Sequence, residues 1–369
     1  AYDSGSGGVG RSFSIYLDLI RFAAAFLVYL YHSNQRFLST SEVPFSGFGH
    51  SAVVVFFVLS GFVIRHVTDT KEMHWPDYAA SRIARIFSVT VPAIFLTLIC
   101  DAIGRAVEPA IYAHSASGQV LARVVLSLLL LNEVWLMSVM SFSNLPFWSI
   151  CVEFWYYAAF ALVIFLPRRV GWVAAALLAL ALGPKFILLA PIWWAGVLLY
   201  RWRMPPWLGR RSALAMVGFS LTGFWLFHAL KIDRWGCLWL KAALGQDVAQ
   251  YLGFANYVVG DYLLTLLVCL NFAGMRALLA GSGGWLIALE RPIRQVAGCT
   301  FTLYLLHLPL FLMWSAVVRG NPAQPWYWLT VTGLMLASVV LISRQTEAHR
   351  YRLRGWLLAL FARRGVMAA

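Results

Sequence analysis

The sequence predicts an all-α polytopic membrane protein: a transmembrane bundle of about ten spanning helices plus one re-entrant or tilted segment. Three observations support this prediction. Of the 369 residues, 61% are hydrophobic and only 12% are charged, whereas soluble domains average about 25% charged residues. The 17 Trp and 15 Tyr residues suit rings placed at lipid–water interfaces. Apolar stretches follow one another with no soluble domain between them.

Each apolar stretch is a candidate helix, because about 20 apolar residues cover the hydrocarbon core of a bilayer. The stretch 119–139 contains Arg123, Asn132 and Glu133, and we expect it not to span, since polar backbone at membrane depth must be buried in protein. In chain order the stretches are 15–37, 50–67, 84–104, 119–139, 148–166, 170–184, 186–201, 212–230, 254–275, 296–318 and 326–343.

The net charge of +14 does not indicate a nucleic-acid partner. The Lys and Arg residues cluster at the ends of apolar stretches, where they set topology and contact lipid headgroups. The positive-inside rule places these basic loops and both termini in the cytoplasm. If every stretch crossed, the basic loops after residue 166 would face outward. One stretch must therefore fail to cross, and 119–139 is the one we expect.

The chain divides into three parts. The Gly/Ser-rich segment 1–12 is expected to be a disordered start or a cloning remnant. Residues 13–345 form the transmembrane domain, and 346–369 a basic cytoplasmic tail.

The sequence shows no clear internal repeat, which weakens an inverted-repeat transporter interpretation. The five cysteines are scattered, without disulfide or zinc spacing.

Three polar residues of the first apolar stretch share one helix face. A charge near the bilayer centre costs roughly 2.5–3.5 kcal/mol on insertion scales, so it is kept mainly where it has a function. His32 lies eleven positions after Arg21, about 16 Å along a helix, and Asp18 precedes Arg21 by three. The alternative is an Asp18–Arg21 salt bridge with a structural His32. The functional interpretation makes His32 a general base and Arg21 a ligand for an anion or carboxylate.

Small and basic residues mark the next two stretches. Ser60 and Gly61 interrupt an apolar run, either to let helices pack closely or to make room for a ligand. Arg82 and Arg85 share a helix face at the cytoplasmic boundary. They are either a topology signal or a clamp for phosphate oxygens, whose geometry matches the arginine fork.

The segment NLPFWSICVEFWYY places Glu153 in an aromatic helix, where an unpaired carboxylate is costly. Ser149 lies one turn before Glu153, and Tyr156 and Tyr157 lie about one turn after it, so one face carries a polar ridge. The alternative is a structural carboxylate paired with an arginine. The turn at 144–146 would expose Trp148 at the mouth of a site.

The late segment CTFTLYLLHLPLF places Tyr304 and His307 on one face, and Pro309 can kink the helix just beyond them. A structural role for His307 is the alternative. We predict no metal site, because His32, Glu153 and His307 have no paired local spacing typical of zinc ligands.

These segments, in this order, resemble the membrane-bound acyltransferase family 3. LDLIRFAAAFLVYLYH is similar to its opening motif, with Arg21 and His32 at the characteristic separation. VVFFVLSGFVI and RIARIFSVTVP resemble its second and third motifs, although Ala93 replaces the usual tyrosine after the proline. FWSICVEFWYY resembles its Trp-Ser-x-x-x-Glu signature. FTLYLLHLP resembles its late motif, with Phe301 and Thr302 in place of the usual small hydroxyl pair. The region 170–290 matches only as apolar helices.

The resemblance implies an O-acyltransferase of the bacterial inner membrane. Its donor would be cytoplasmic acyl-CoA, most simply acetyl-CoA. Its acceptor would be a hydroxyl of a surface or exported polysaccharide or its lipid-linked precursor, and a macrolide or other small metabolite is the alternative. Membrane lipids are expected partners, and no nucleic acid or metal is expected.

The implied roles divide between the two substrates. His32 would remove the proton of the acceptor hydroxyl, supported by Glu153 and Arg21, and an acyl-histidine relay is a variant. The donor would contact Arg21, Arg65, Arg82 and Arg85. The predicted acceptor or tunnel residues are Asp18, Ser60, Trp148, Ser149, Tyr304 and His307. The competing hypotheses are a transporter or flippase for an anionic lipid-linked sugar and a non-catalytic scaffold.

Overall fold

The computed structural model describes residues 9–202 and 209–363, and over those residues the chain is helical without a β-strand. This confirms the predicted fold class. The helices are α1 (Arg11–Ser33), α2 (Gly49–Thr70), α3 (Trp75–Val107), α4 (Val120–Leu128), α5 (Phe147–Phe165), α6 (Arg168–Leu182), α7 (Pro184–Arg201), α8 (Arg210–Ala229), α9 (Ile232–Leu244), α10 (Gln246–Tyr251), α11 (Val258–Ser282), α12 (Gly284–Ala288), α13 (Glu290–Ala297), α14 (Thr300–Val318) and α15 (Pro325–Arg363).

Within the described ranges, eight helical segments are long and apolar enough to cross a membrane. They contain α1, α2, α3, α5, α8, α11, α14 and α15. Helices α6 and α7 have 15 and 18 residues, about 22 and 27 Å at 1.5 Å per residue. The stretch 119–139 holds only the nine-residue α4, about 14 Å long. Because the hydrocarbon core is about 30 Å thick, α4 is too short to span it, as predicted.

Among the described residues, helix covers only the last two of the predicted start 1–12, but it continues through most of the predicted tail 346–369. Helix α1 begins at Arg11, inside the predicted 1–12 start. The predicted tail 346–369 continues α15 as far as Arg363, and residues 1–8 and 364–369 lie outside the described ones. Leu357 of this extension packs on Ala80 and Ala84 of α3.

The chain forms two compact units, each of which is discontinuous in sequence. The first unit comprises Ala1–Phe22, Val53–Glu72 and Pro184–Ala297, and the second comprises Ala23–Ala52, Met73–Gly183 and Gly298–Ala369.

In the first unit, α11 packs on α7, α8 and α9, and α2 approaches α7 very closely. A Cβ atom at Gly61 would lie 2.0 Å from the carbonyl oxygen of Trp193, and one at Gly196 would lie 1.9 Å from that of Val58. Only glycine permits this distance, so Gly61 serves helix packing.

The second unit is built around α3, α14 and α15, which pack on one another, with α5 on α3 and α6 on α5. Pro309 lies inside α14 and has no N–H, so the carbonyl of Leu305, four residues earlier, has no helical donor. Asn144 donates from Nδ2 to this carbonyl at 2.8 Å and to Thr97 Oγ1 at 3.3 Å. The turn before α5 is thereby fixed to α3 and to α14.

Candidate active site

Two histidine rings meet in the second unit. His32 lies in the last turn of α1 and His307 in the middle of α14, and their ring centroids are 5.2 Å apart with 36° between the planes. Tyr29 and Tyr304 place their rings 6.2 and 6.4 Å from His307. His307 is therefore enclosed by His32 and two tyrosines.

The hydrogen bonding of His307 determines which of its nitrogens carries a proton. Nδ1 lies 3.0 Å from the carbonyl oxygen of Leu303, and because a carbonyl only accepts, Nδ1 is the donor. In the neutral ring Nε2 then holds a lone pair. Nε2 is buried and has no hydrogen-bond partner among the described residues. A buried acceptor without a donor is costly, so this atom is available to a neighbouring N–H or O–H group.

His32 is half-buried and opens on a cleft of about 340 Å³. The polar residues of the loop after α1 form much of its lining. Gln35 donates from Nε2 to the backbone carbonyl of His32 at 3.2 Å, which satisfies an otherwise unpaired carbonyl at the end of the helix. The lining includes Tyr31, His32, Asn34, Gln35, Glu42 and Leu145.

A line of polar side chains leads from the histidine pair along α5. Tyr304 and Ser149 share a hydrogen bond of 2.5 Å between their hydroxyls. Glu153 lies one turn after Ser149 and accepts a hydrogen bond of 2.5 Å from Tyr157. The structure thus brings Ser149, Tyr304 and His307, which the sequence places on separate polar faces, together with His32.

The other end of this line is basic. The guanidinium carbon of Arg82 lies 5.7 Å from the ring centre of Tyr78 and 5.9 Å from that of Tyr157. Arg85 lies one turn after Arg82 on α3 and is half-buried. Ser149 and Tyr157 are eight residues apart on α5, about 12 Å. One end of the second unit therefore presents arginines, and the other presents the cleft with His32.

Trp148 differs from the expectation. Its side chain is only 8% exposed, and Leu145 of the same turn lines the cleft instead. A large indole in the first turn of a helix gains more from burial in the bundle than from exposure. The cleft residues Asn34, Gln35 and Glu42 were not predicted. Their one signal in the sequence is a polar loop that directly follows His32.

The first unit contains the other predicted residues. Arg21 donates to Asp18 at 2.9 Å, and Asp18 also accepts from Arg294 at 2.8 Å. Arg11 and Arg294 both bind Glu290, and these hydrogen bonds hold the pKa of the Glu290 carboxyl below its usual value. The Asp18–Arg21 salt bridge considered as an alternative is therefore present, within a network that ties α1 to α13.

Ser60 and Arg65 also have local partners. Ser60 is buried and accepts a hydrogen bond of 3.1 Å from the indole of Trp193. Arg65 binds both carboxylate oxygens of Asp69, at 3.0 and 2.7 Å. The contact of Ser60 fits the packing alternative, and roles of Ser60 and Arg65 in ligand binding stay predictions.

The helix bundle and its apolar spans define an integral membrane protein, and the polar line inside its second unit is typical of an enzyme site. A family model described as an acyltransferase domain, of the acyltransferase family 3, matches residues 14–344, nearly the entire chain. The chain belongs to this family and is a membrane acyltransferase. No curated protein and no solved structure matches it.

Proposed function

We propose that this acyltransferase moves an acetyl group from cytoplasmic acetyl-CoA to a hydroxyl of a surface or exported polysaccharide or its lipid-linked precursor, in the bacterial inner membrane. One observation supports the proposal above the others: His32 faces an open polar cleft and has a second histidine ring 5.2 Å behind it. A general base needs this combination of access to substrate and an oriented ring.

In the proposed reaction, His32 takes the proton of the acceptor hydroxyl. The oxygen–carbon bond forms as the carbon–sulfur bond of the thioester breaks, and the proton on His32 then passes to the leaving thiolate. Glu42, Asn34 and Gln35 line the cleft and would hydrogen-bond neighbouring hydroxyls of the acceptor. Carboxylate and amide groups suit this task, because each offers acceptors or donors to a hydroxyl.

His307 would orient His32 in this scheme. Its Nε2, which has no partner among the described residues, would accept the N–H of His32. The other nitrogen of His32 would then face the cleft with its lone pair free, because the orienting group fixes the tautomer of a catalytic histidine. Glu153 would act on His32 only indirectly. It accepts a hydrogen bond from Tyr157, and it lies one helical turn from Ser149, which is hydrogen-bonded to Tyr304. In this scheme Arg21 stabilises the salt-bridge network around Asp18 and has no direct role at the His32 imidazole.

The donor would dock at the basic end of the second unit. Arg82 and Arg85 supply guanidinium groups for phosphate oxygens, and the rings of Tyr78 and Tyr157 beside Arg82 supply flat surfaces. This donor set fits the charged nucleotide end of a coenzyme A thioester. The positive-inside rule places that end in the cytoplasm, where acyl-CoA is found.

The test uses the purified full-length protein with labelled acetyl-CoA, with and without glycan acceptors. Substitution His32→Ala should lower acetyl transfer by about a hundredfold or more, because general base catalysis contributes at least that much. His114→Ala is the matched control, since His114 is an exposed loop histidine. Near-normal transfer by His32→Ala refutes the assignment. Movement of a lipid-linked sugar without acetyl-CoA would favour the transporter hypothesis.

A further inference from the structure

A second cleft opens on the second unit, and the proposed reaction does not use it. Its volume is about 370 Å³, and its lining combines two aromatic rings with charges of both signs. The residues that carry the argument are Phe37, Glu108, Ser315, Arg319 and Tyr327.

The second cleft is a neighbour of the cleft at His32. Gln35 lines the first cleft and Phe37 the second, and two residues of chain span at most about 7 Å. Helix α14 gives a second measure of the distance between the clefts, because His307 contacts His32 and Ser315 lines the second cleft. His307 and Ser315 are eight positions apart, which corresponds to about 12 Å along the helix. A chain-like ligand of a few rings could therefore occupy both clefts.

The lining also identifies the chemical class of the ligand. The Glu108 side chain has no hydrogen-bond or ion-pair partner within residues 9–202 and 209–363. Arg319 is exposed and donates one hydrogen bond, to the carbonyl of Val107, which leaves further N–H groups of its guanidinium. The ring of Phe37 is stacked on Phe311 at 6.1 Å and 9°.

A sugar matches these three groups. The C–H face of a pyranose packs on an aromatic ring, while its hydroxyls donate to a carboxylate and accept from a guanidinium. A lipid acyl chain would instead desolvate Glu108 and Arg319 without pairing them, which is costly. Arg319 has a φ of 48° because it is the left-handed residue that ends α14, and this position sets its side chain at the end of the helix.

We infer that the second cleft binds a neighbouring sugar of the acceptor chain while His32 acts on a hydroxyl in the first cleft. The acceptor is then an oligosaccharide or polysaccharide, rather than a single sugar or a small metabolite. The inference rests on the proposed acyl transfer at His32, whose acceptor it specifies.

The experiment measures kcat/KM with acetyl-CoA and fragments of the producing cell's surface polysaccharide, sized from one sugar upwards. The wild-type protein should prefer longer fragments over a single sugar by about tenfold or more, because one hydrogen bond to a charged group is worth that factor in affinity. Glu108→Gln and Arg319→Gln should each lose most of this preference. Arg36→Gln is the control and should keep the preference, because Arg36 lies beside Phe37 in the loop after α1 but lines neither cleft.

The outcomes separate this inference from the proposed function. Transfer to all fragments with a kcat/KM independent of length refutes the second sugar site and leaves acyl transfer standing. The second sugar site is also refuted if Glu108→Gln and Arg319→Gln keep the whole preference for longer fragments. An absence of transfer to every acceptor, with no release of CoA, refutes the proposed function and this inference together. Equal melting temperatures of the variants show that folding is intact.

Discussion

At the residue scale, the function of His307 depends on the direction of one hydrogen bond. Its Nδ1 donates to the Leu303 carbonyl, so its Nε2 can only accept while the ring is neutral. Because Nε2 is buried without a described partner and the His32 ring is adjacent, the natural donor is the imidazole N–H of His32. His307 is a positioning residue in this scheme, and of the two histidines only His32 reaches substrate.

Two substitutions of similar size test this role. In His307→Gln the side-chain amide lies near the position of Nε2 and can still accept, whereas in His307→Asn it lies near Nδ1 and keeps only the bond to Leu303. We expect His307→Asn to lower kcat about tenfold at unchanged KM for both substrates, since one lost hydrogen bond of about 1.4 kcal/mol is a factor of ten. His307→Gln should retain more of the activity.

A merely structural role for His307 gives a different pattern. Both variants remove ring volume, so both would lower the melting temperature and kcat in parallel, with no advantage for Gln. Steady-state kinetics and thermal unfolding of the same two preparations decide between these patterns. Equal kcat values in the two variants would contradict the positioning role.

At the element scale, α14 depends on a donor from another part of the chain. Pro309 deprives the Leu305 carbonyl of its helical partner, and Asn144 replaces that partner at 2.8 Å. The same segment carries Tyr304 and His307, so the amide of Asn144 fixes the portion of the helix that faces the site. A buried carbonyl without a donor costs about 1–3 kcal/mol.

This dependence predicts a coupling between two positions. Asn144→Ala should destabilise the protein by about 1–3 kcal/mol, because the Leu305 carbonyl loses its donor. In Pro309→Ala the new backbone N–H can bond to Leu305, so the loss from Asn144→Ala should be smaller in that background. A double-mutant cycle of unfolding free energies in detergent measures the coupling. Strictly additive effects would show that Asn144 does not substitute for the missing N–H.

The sequence predicts elements and single residues better than their pairings. His32, Glu153, Tyr304 and His307 are recognisable because polar side chains in apolar helices are costly. The donor for Leu305 is not recognisable, since Asn144 is 161 positions away and the turn 144–146 indicates only a bend. The short α4 is predictable from its polar residues, whereas the burial of Trp148 depends on packing that no local pattern encodes.

At the scale of the whole molecule, the chain forms each unit from separated segments, which composition cannot predict because the apolar stretches look alike. The consequence for function lies within the second unit. Its arginines and its cleft occupy opposite ends of a polar line that runs along α5. Donor binding and acceptor binding should therefore respond to different substitutions.

The arginine end provides the last prediction. Arg82→Gln and Arg85→Gln should each raise KM for acetyl-CoA about tenfold, because a guanidinium–phosphate contact is worth roughly that factor, and the KM for the acceptor should not change. Added salt should narrow the difference from wild type, since it screens exposed charges. Arg169→Gln, an exposed arginine of α6, is the matched control. An equal rise in both KM values would mean that the arginines support the fold rather than the donor, and an unchanged KM for acetyl-CoA in both variants would remove them from donor binding.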